Sequence, residues 1–139
     1  MTARSSKRIE LTILSDEAND IAEAIRQRIA DNNDFIGADG HPLLTLKQIA
    51  QCPEDVNSEA VTVLLADPDL ASRIIDTCSA LTWCQSTWAG NAPLLNADKK
   101  NYILTGLKGI FGKLMREYVF AYLLGHARNV KAFEQNQRA

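Results

Sequence analysis

Few residues in the sequence belong to types that carry chemistry, and they are widely spaced. The two histidines are His41, which precedes a proline in a polar loop, and His126, which lies near the end of an apolar segment. A metal site needs several His, Cys or carboxylate side chains at ligand spacing. Neither a His-Asp dipeptide nor a His-Glu-x-x-His pattern occurs. The sequence therefore predicts no metal and no cofactor, and both histidines are interpreted as structural.

The cysteines are the next candidates for chemistry. There are three, Cys52, Cys78 and Cys84, and an odd number without a Cys-x-x-Cys pair is typical of reduced intracellular thiols. Cys84 and His126 form the one conceivable nucleophile–base pair, but Cys84 lies between two tryptophans and is interpreted as partly buried. Ser79 lies in a predicted helix rather than at a strand-to-helix turn. The prediction is that the chain has no catalytic residue and is not an enzyme.

Glycine spacing does not indicate a nucleotide-phosphate loop. Neither Gly-x-x-x-x-Gly-Lys-Ser/Thr nor Gly-x-Gly-x-x-Gly occurs in the sequence. Gly106 and Gly109 are interpreted as a helix break, because glycine inside a helix costs about 1 kcal/mol relative to alanine.

Length and composition indicate one globular domain. The chain has 139 residues, of which 46% are apolar and 23% charged, as in ordinary soluble domains. A net charge of −2 argues against a nucleic-acid partner. The N-terminus lacks the apolar run of a secretory signal, and the apolar run VFAYLLG is too short to span a bilayer. We expect a cytoplasmic protein without nucleic-acid or membrane partners.

Helical spacing dominates the rest of the chain. The clearest case is the segment 67–81, where Asp67 is a predicted N-cap and Pro68 suits the first helical turn. One apolar stripe follows at spacings of four, four and three: Leu70, Ile74, Cys78 and Leu81. The other helices are predicted at about 16–30, 43–51, 58–66, 97–107 and 110–127. No long period-2 alternation appears, so the predicted fold class is all-α, a compact bundle of about six helices.

The predicted domain organisation is simple. Residues 1–15 form a flexible basic N-terminal tail, 16–128 a single helical domain and 129–139 a polar C-terminal end. Residues 82–96 are predicted to be an irregular connection between helices.

Two features are candidate partner surfaces. Trp83 and Trp88 form a candidate aromatic patch, because tryptophan is enriched at interface hot spots. The last long helix carries Lys108, Lys113 and Arg116 on its polar side and has the pattern of an amphipathic helix that binds a partner. The alternative is that the tryptophans belong to the core and the cations are simply solvated.

One ordered set of motifs resembles the first, helical half of the HDOD domain family, over about residues 40–125. The matching residues are Asp67, Pro68, Leu70 and Arg73 for the family's Asp-Pro-x-Leu-x-x-Arg helix start, Ser79 and Ala80 for its Asn-Ser-Ala corner, and Gly106 and Leu107 for its Gly-Leu step. Cys78 stands where the family prefers asparagine, and the family's HD-like second half is absent. The resemblance thus implies a fragment or a shortened relative.

This resemblance implies a non-catalytic bacterial signalling or regulatory domain that binds another protein, with self-association as a further possibility. A first alternative is a relative of the HD-type metal-dependent phosphohydrolases. A second is a small helical DNA-binding regulator, suggested by the abrupt corner between the helices predicted at 58–66 and 67–81. Asp69 and Asp76 on the second of these helices would repel DNA phosphates.

Overall fold

The chain folds around a parallel β-sheet. A computed structural model describes residues 8–138, so residues 1–7 of the predicted basic tail lie outside the described part. The elements, in chain order, are β1 (Ile9–Leu14), α1 (Ala18–Ala30), β2 (Leu44–Ala50), β3 (Val63–Ala66), α2 (Pro68–Ser72), β4 (Trp83–Ser86), α3 (Ala92–Leu95), β5 (Ile103–Thr105), α4 (Gly112–Ala127) and α5 (Val130–Arg138). Short 3-10 turns occur at Asn33–Phe35, Pro53–Asp55, Ser58–Ala60 and Ile75–Thr77.

The sheet has the strand order β2-β1-β3-β4-β5, and every pair of neighbouring strands is parallel. The first strand is therefore internal, with β2 on one side and β3 on the other. In register, Leu11 and Ile13 of β1 lie beside Val63 and Leu65 of β3. Side chains alternate between the two faces along each strand, so these four point to the same face.

Helix α1 covers that first face over β1 and β2. Its buried residues Ala18 and Ala22, together with Ile21 and Ile25, pack against apolar side chains of the strands. Those strand residues are Leu11, Ile13, Leu44, Leu46, Ile49, Val63 and Leu65. The apolar face formed by Ile21 and Ile25 with the two alanines thus packs α1 against the sheet.

The second face carries the larger part of the core. Leu14, Leu64 and Cys84 of three adjacent strands are buried there against the segment 70–81 and α3. Ile75 in the Ile75–Thr77 turn is fully buried, as is the side chain of Val61. Both faces of the strands are therefore apolar, which is the usual state of a parallel sheet.

Residues 108–139 form a separate compact unit, distinct from 1–107. Within it, α4 ends in a turn at Asn129, whose φ of 51° is left-handed, before α5 begins. The rings of Tyr118 and Tyr122 lie 4.7 Å apart, and Lys113 Nζ lies 3.9 Å from Glu117 Oε1. Within residues 8–138, no helix is long and apolar enough to cross a membrane.

The all-α prediction is wrong: the fold is α/β. The segments predicted as helices at 43–51, 58–66 and 97–107 contain β2, β3 and β5, and the predicted irregular connection contains β4. The physical reason is that a short strand buried on both faces is a continuous apolar run, which periodicity alone cannot distinguish from a piece of buried helix. The predicted tail also fails at Ile9–Leu14, which forms an internal strand.

For the segment 67–81, the predicted continuous helix is mostly wrong, but the predicted burial of its apolar residues is confirmed. Helix α2 ends at Ser72, and a 3-10 turn follows. Ile74, Cys78 and Leu81 of the predicted stripe are nevertheless buried. The helices expected near 16–30 and 110–127 are confirmed as α1 and α4, whereas the polar C-terminal end contains a further helix, α5.

Candidate functional site

The strand order creates a topological switch point at the carboxyl ends of the strands, the place where open parallel sheets form a crevice. From β1 the chain crosses to β2 on one side, and it then returns to β3 on the other side. In open parallel sheets, ligands bind outside the carboxyl ends of the strands at the point where the crossovers diverge. Here that point lies between the ends of β1 and β3, at Leu14 and Ala66.

Asp67 joins the turns that follow three strands at this edge. It comes directly after β3 and its side chain is buried, with 8% relative exposure of the residue. Its Oδ2 accepts the backbone N–H of Asp16, after β1, at 2.9 Å. Its Oδ1 accepts the hydroxyl of Thr87, after β4. The predicted N-cap bond of Asp67 is not made, because both carboxylate oxygens are used by the neighbouring turns.

The turn after β1 has further support. Ser15 N donates to Ala50 O at 3.1 Å, and Ser15 Oγ accepts the N–H of Glu17 at 3.2 Å. The side-chain amide of Gln51 donates to Asp16 O at 2.7 Å. The start of α1 is thus held at the crevice, where its aligned peptide dipoles favour negative charge.

The turn after β4 is also held by hydrogen bonds at its base. The N–H of Trp88 donates to Ser86 Oγ at 3.0 Å, and the N–H of Leu107 donates to Trp88 O at 3.2 Å. Gly106 is needed for this approach, because a Cβ there would lie 2.7 Å from Asn91 Nδ2 and 3.2 Å from Trp88 O. Only glycine lets the chain after β5 pass so close.

The tip of the same turn is open. Gly90 is exposed and a Cβ on it would meet nothing within 4 Å. Within residues 8–138, its backbone N–H makes no hydrogen bond. Next to it, Asn91 Oδ1 is buried and has no hydrogen-bond partner among the described residues, and unsatisfied buried polar atoms of this kind are rare in native proteins. The turn therefore has an N–H donor at Gly90 that an oxygen of a small ligand could accept, and an amide acceptor at Asn91 next to it in the chain.

The thiols do not belong to this site as nucleophiles. Cys84 is fully buried on β4; burial, with a smaller effect from Cys78, raises its pKa to about 12. Burial also raises the pKa of Cys78. Because the thiolate is the reactive form, both are inert packing residues, whereas Cys52 is exposed.

A cleft of about 600 Å³ lies elsewhere, between the last two turns of α1 and the start of β2. Its lining is mainly apolar and includes Ile29, Ile36 and Leu44, with Arg26 as its one charged residue. Arg26 is more than half exposed and faces Glu23 at 3.7 Å. Chemistry is therefore better supported at the carboxyl edge of the sheet than in this mainly apolar cleft.

The residues predicted as a partner surface are found on both units. Trp83 begins β4, and its indole N–H donates to Thr105 Oγ1 at 2.8 Å. Trp88 lies in the turn after β4 at the candidate site and is 46% exposed. Lys108, Lys113 and Arg116 are exposed in the unit formed by residues 108–139. The partner surface itself stays a prediction.

The sequence reading missed Thr87, Gly90 and Asn91 as site residues. The available signal was the succession of a short segment with aromatic and small residues and then Thr, Gly and Asn in WCQSTWAGN, which is compatible with a strand followed by a turn.

The comparisons with known proteins agree with this architecture. No protein-family model matches the chain, and no curated protein matches it. A solved structure does: a D-isomer specific 2-hydroxyacid dehydrogenase family protein from Aeromonas salmonicida subsp. salmonicida, with a TM-score of 0.70 and 29% sequence identity. The match covers 95% of this chain and 39% of the dehydrogenase, so the present chain spans about two fifths of that protein's length.

This similarity overturns the functional predictions. A parallel α/β sheet matching a dehydrogenase is not an HDOD domain, so the resemblance was misleading. The predictions of a signalling domain, of an HD-type phosphohydrolase and of a DNA-binding regulator are all wrong. The prediction of a non-enzymatic protein is contradicted as well, because the fold is one found in an enzyme family.

Proposed function

We propose that this chain is an α/β domain of a 2-hydroxyacid dehydrogenase-like protein, and that it binds a 2-hydroxy acid or the matching 2-oxo acid at the carboxyl edge of its sheet. The similarity to the Aeromonas dehydrogenase supports the class of ligand. The observation that carries the proposal is the Gly90 N–H, which has no partner among residues 8–138. It lies at the open tip of a turn that the hydrogen bond between Thr87 and Asp67 holds at the carboxyl edge.

The chemistry of the turn suits such an acid. A carboxylate accepts hydrogen bonds from backbone N–H groups, as anions do at turns and helix starts. The Gly90 N–H is one donor available to the carboxylate, and the start of α1 adds a favourable dipole. The amide of Asn91 lies next to this donor in the chain, and its Oδ1 has no partner among residues 8–138. We expect Oδ1 to accept a hydrogen bond from a hydroxyl at C2, whereas a carbonyl at C2 would accept one from Nδ2. Oxidation of the acid needs an electron acceptor, and no step of that reaction is assigned to these residues.

The test measures ligand binding to the full chain by the change in the NMR signals of its backbone amides. Pyruvate and D-lactate should shift the Gly90 amide with a dissociation constant of about 1 mM or tighter, whereas propionate, which has no oxygen at C2, should bind at least about tenfold more weakly. Asn91→Asp places a negative charge beside the carboxylate and should abolish the shift. The matched control, Asn101→Asp, adds the same charge before β5, at the opposite edge of the sheet.

If propionate and pyruvate bound equally tightly, the site would recognise only the carboxylate, and the proposed ligand class would be refuted. An unshifted Gly90 amide with every acid would refute the site.

A further inference from the structure

The apolar stripe of α1 continues one turn beyond the core that it covers. Ile21 and Ile25 pack against the core cluster of the sheet, and Ile29 follows Ile25 at the next spacing of four, on the same side of the helix. Ile29 does not belong to that cluster and instead lines the cleft beside the last two turns of α1. The hydrophobic layer between helix and sheet therefore ends in a cavity of about 600 Å³.

Three walls form this cleft, and all of them belong to the unit formed by residues 1–107. The first wall is the end of α1, and the second is the start of β2, with Leu44 and Leu46. The third is the connection between α1 and β2, which contributes Ile36 and Pro42. Because β2 begins here and runs parallel to its neighbour, the cleft lies at the amino ends of the strands. The 2-hydroxy acid is proposed to bind at the opposite, carboxyl edge.

The connection that forms the third wall is fixed by backbone hydrogen bonds. Ile36 and Pro42 form an antiparallel bridge, and the N–H of Leu43 donates to Phe35 O at 2.7 Å. The carbonyl of Leu43 in turn accepts the N–H of Ile9, the first residue of β1, at 2.8 Å. Ligand pockets are usually formed before the ligand arrives, and a wall that is already ordered loses little conformational entropy on binding.

The charge of the cleft is positive. Within residues 8–138, Arg26 is the one charged residue that lines it. The guanidinium of Arg26 lies 3.7 Å from the carboxylate of Glu23, and both side chains are more than half exposed, so this ion pair is weak. The next carboxylate along the chain, that of Asp31, accepts hydrogen bonds from the side-chain amide of Gln27 at 3.0 and 3.1 Å. Arg26 therefore has N–H donors for an anionic ligand.

The length and the charge of the cleft define a ligand class. Two turns of α1 extend about 11 Å, which matches an extended hydrocarbon chain of about eight carbon atoms at roughly 1.3 Å per carbon. A single cation among apolar walls suits a monoanion better than a phosphate dianion, whose second charge would lack a partner. A guanidinium pairs well with the two oxygens of a carboxylate. We propose that the cleft binds a medium-chain monocarboxylate, with its hydrocarbon chain against Ile29, Ile36 and Leu44 and its carboxylate at Arg26.

The first test titrates the full chain with octanoate and measures the change in the NMR signals of its backbone amides. The amides of Ile29, Ile36 and Leu44 should shift, with a dissociation constant of about 1 mM or tighter. Butyrate, which is four methylene groups shorter, should bind at least about tenfold more weakly, because each buried methylene group improves affinity about fourfold. Pyruvate should leave these three amides unshifted, so this site and the proposed 2-hydroxy acid site are tested separately.

Charge reversal identifies the partner of the carboxylate. Arg26→Glu should weaken octanoate binding at least about fivefold, and it should leave the binding of 1-octanol, an uncharged molecule of the same chain length, unchanged. The matched control is Arg28→Glu, two residues further along α1 and outside the cleft. It changes the net charge equally and should leave octanoate binding unchanged. Ile29→Gln should weaken the binding of both octanoate and 1-octanol, because it removes part of the apolar wall.

Four results would overturn the proposal. Octanoate binding no tighter than butyrate binding would show that the apolar walls make no contact with the chain. Equal octanoate binding by the Arg26→Glu and Arg28→Glu variants would show that the carboxylate does not lie at Arg26. Shifts confined to Gly90 and its neighbours would place octanoate at the carboxyl edge instead, and an absence of any shift would show that octanoate does not bind.

Discussion

The hydroxyl of Thr87 donates to the carboxylate of Asp67, a residue 20 positions earlier in the chain. The other oxygen of the same carboxylate accepts the N–H of Asp16, at a sequence distance of 51. One buried side chain thus ties together the turns after β1, β3 and β4. Because the proposed ligand site is made from these turns, its geometry depends on a residue that contributes no contact of its own to the ligand.

Replacing Asp67 with alanine should therefore destabilise the fold. Hydrogen bonds to charged groups contribute about 1.5–3 kcal/mol each, and the change removes two of them. We expect the free energy of unfolding in urea to fall by about 3–6 kcal/mol. Asp69→Ala, at an exposed carboxylate in α2, is the control and should change it by about 0.5 kcal/mol or less. Similar effects for the two variants would show that Asp67 is not the link between the turns.

Gly106→Ala should perturb the turn after β4. The added methyl group would lie 2.7 Å from Asn91 Nδ2 and 3.2 Å from Trp88 O, and forcing extra atoms into a packed site typically costs about 1–3 kcal/mol. Thermal unfolding should report that loss. Gly90→Ala adds the same methyl group in open space, so its stability should be nearly unchanged. If both variants unfold at the same temperature, the close approach of the β5 turn is disproved.

Ile13→Ala separates the observed fold from the all-helical one. Ile13 is fully buried in an internal strand, so truncation should cost about 2–5 kcal/mol of unfolding free energy. Ile9→Ala, in the same strand at 39% exposure, should cost far less. A flexible tail would make both changes neutral, and denaturant unfolding followed by circular dichroism distinguishes the two cases.

Alkaline pH should destabilise the protein through Cys84. Its pKa in the folded state is raised to about 12, above the ordinary value near 9, so the unfolded chain loses the proton first. The stability contributed by the buried neutral thiol is complete below pH 9 and is lost between about pH 9 and pH 12, at up to about 1.4 kcal/mol per pH unit. Cys84→Ala should flatten the fall in unfolding free energy over this range. A pH dependence identical to that of the unchanged chain would exclude this origin.

Burial was easier to predict from the sequence than secondary structure. Ile74, Cys78 and Leu81 are buried as the spacing indicated, and the charged residues Arg73 and Asp76 of the same segment are exposed. The helical conformation failed beyond Ser72, because packing on a sheet buries these positions equally well without a continuous helix. Long amphipathic or apolar segments such as α1 and α4 were found, since they have room for several turns.

The candidate site could not be predicted from the sequence for a related reason. Asp67 was noticed, but as a helix cap, since an Asp-Pro pair at the start of an apolar stripe favours that interpretation. Its partners Asp16 and Thr87 are distant in sequence, and only the parallel strand order brings the three together. Sequence spacing carries no information on such a contact unless the strands are recognised first.

The internal position of β1 has a consequence for synthesis on the ribosome. Ile9–Leu14 emerges before both of its hydrogen-bonded neighbours, which end only at Ala50 and Ala66. Both edges of this apolar strand thus stay unpaired while dozens of later residues are translated, at about 5–20 residues per second. During those seconds the nascent chain exposes an unpaired apolar strand that is prone to aggregate. We expect that a chaperone or rapid pairing with β2 and β3 protects it.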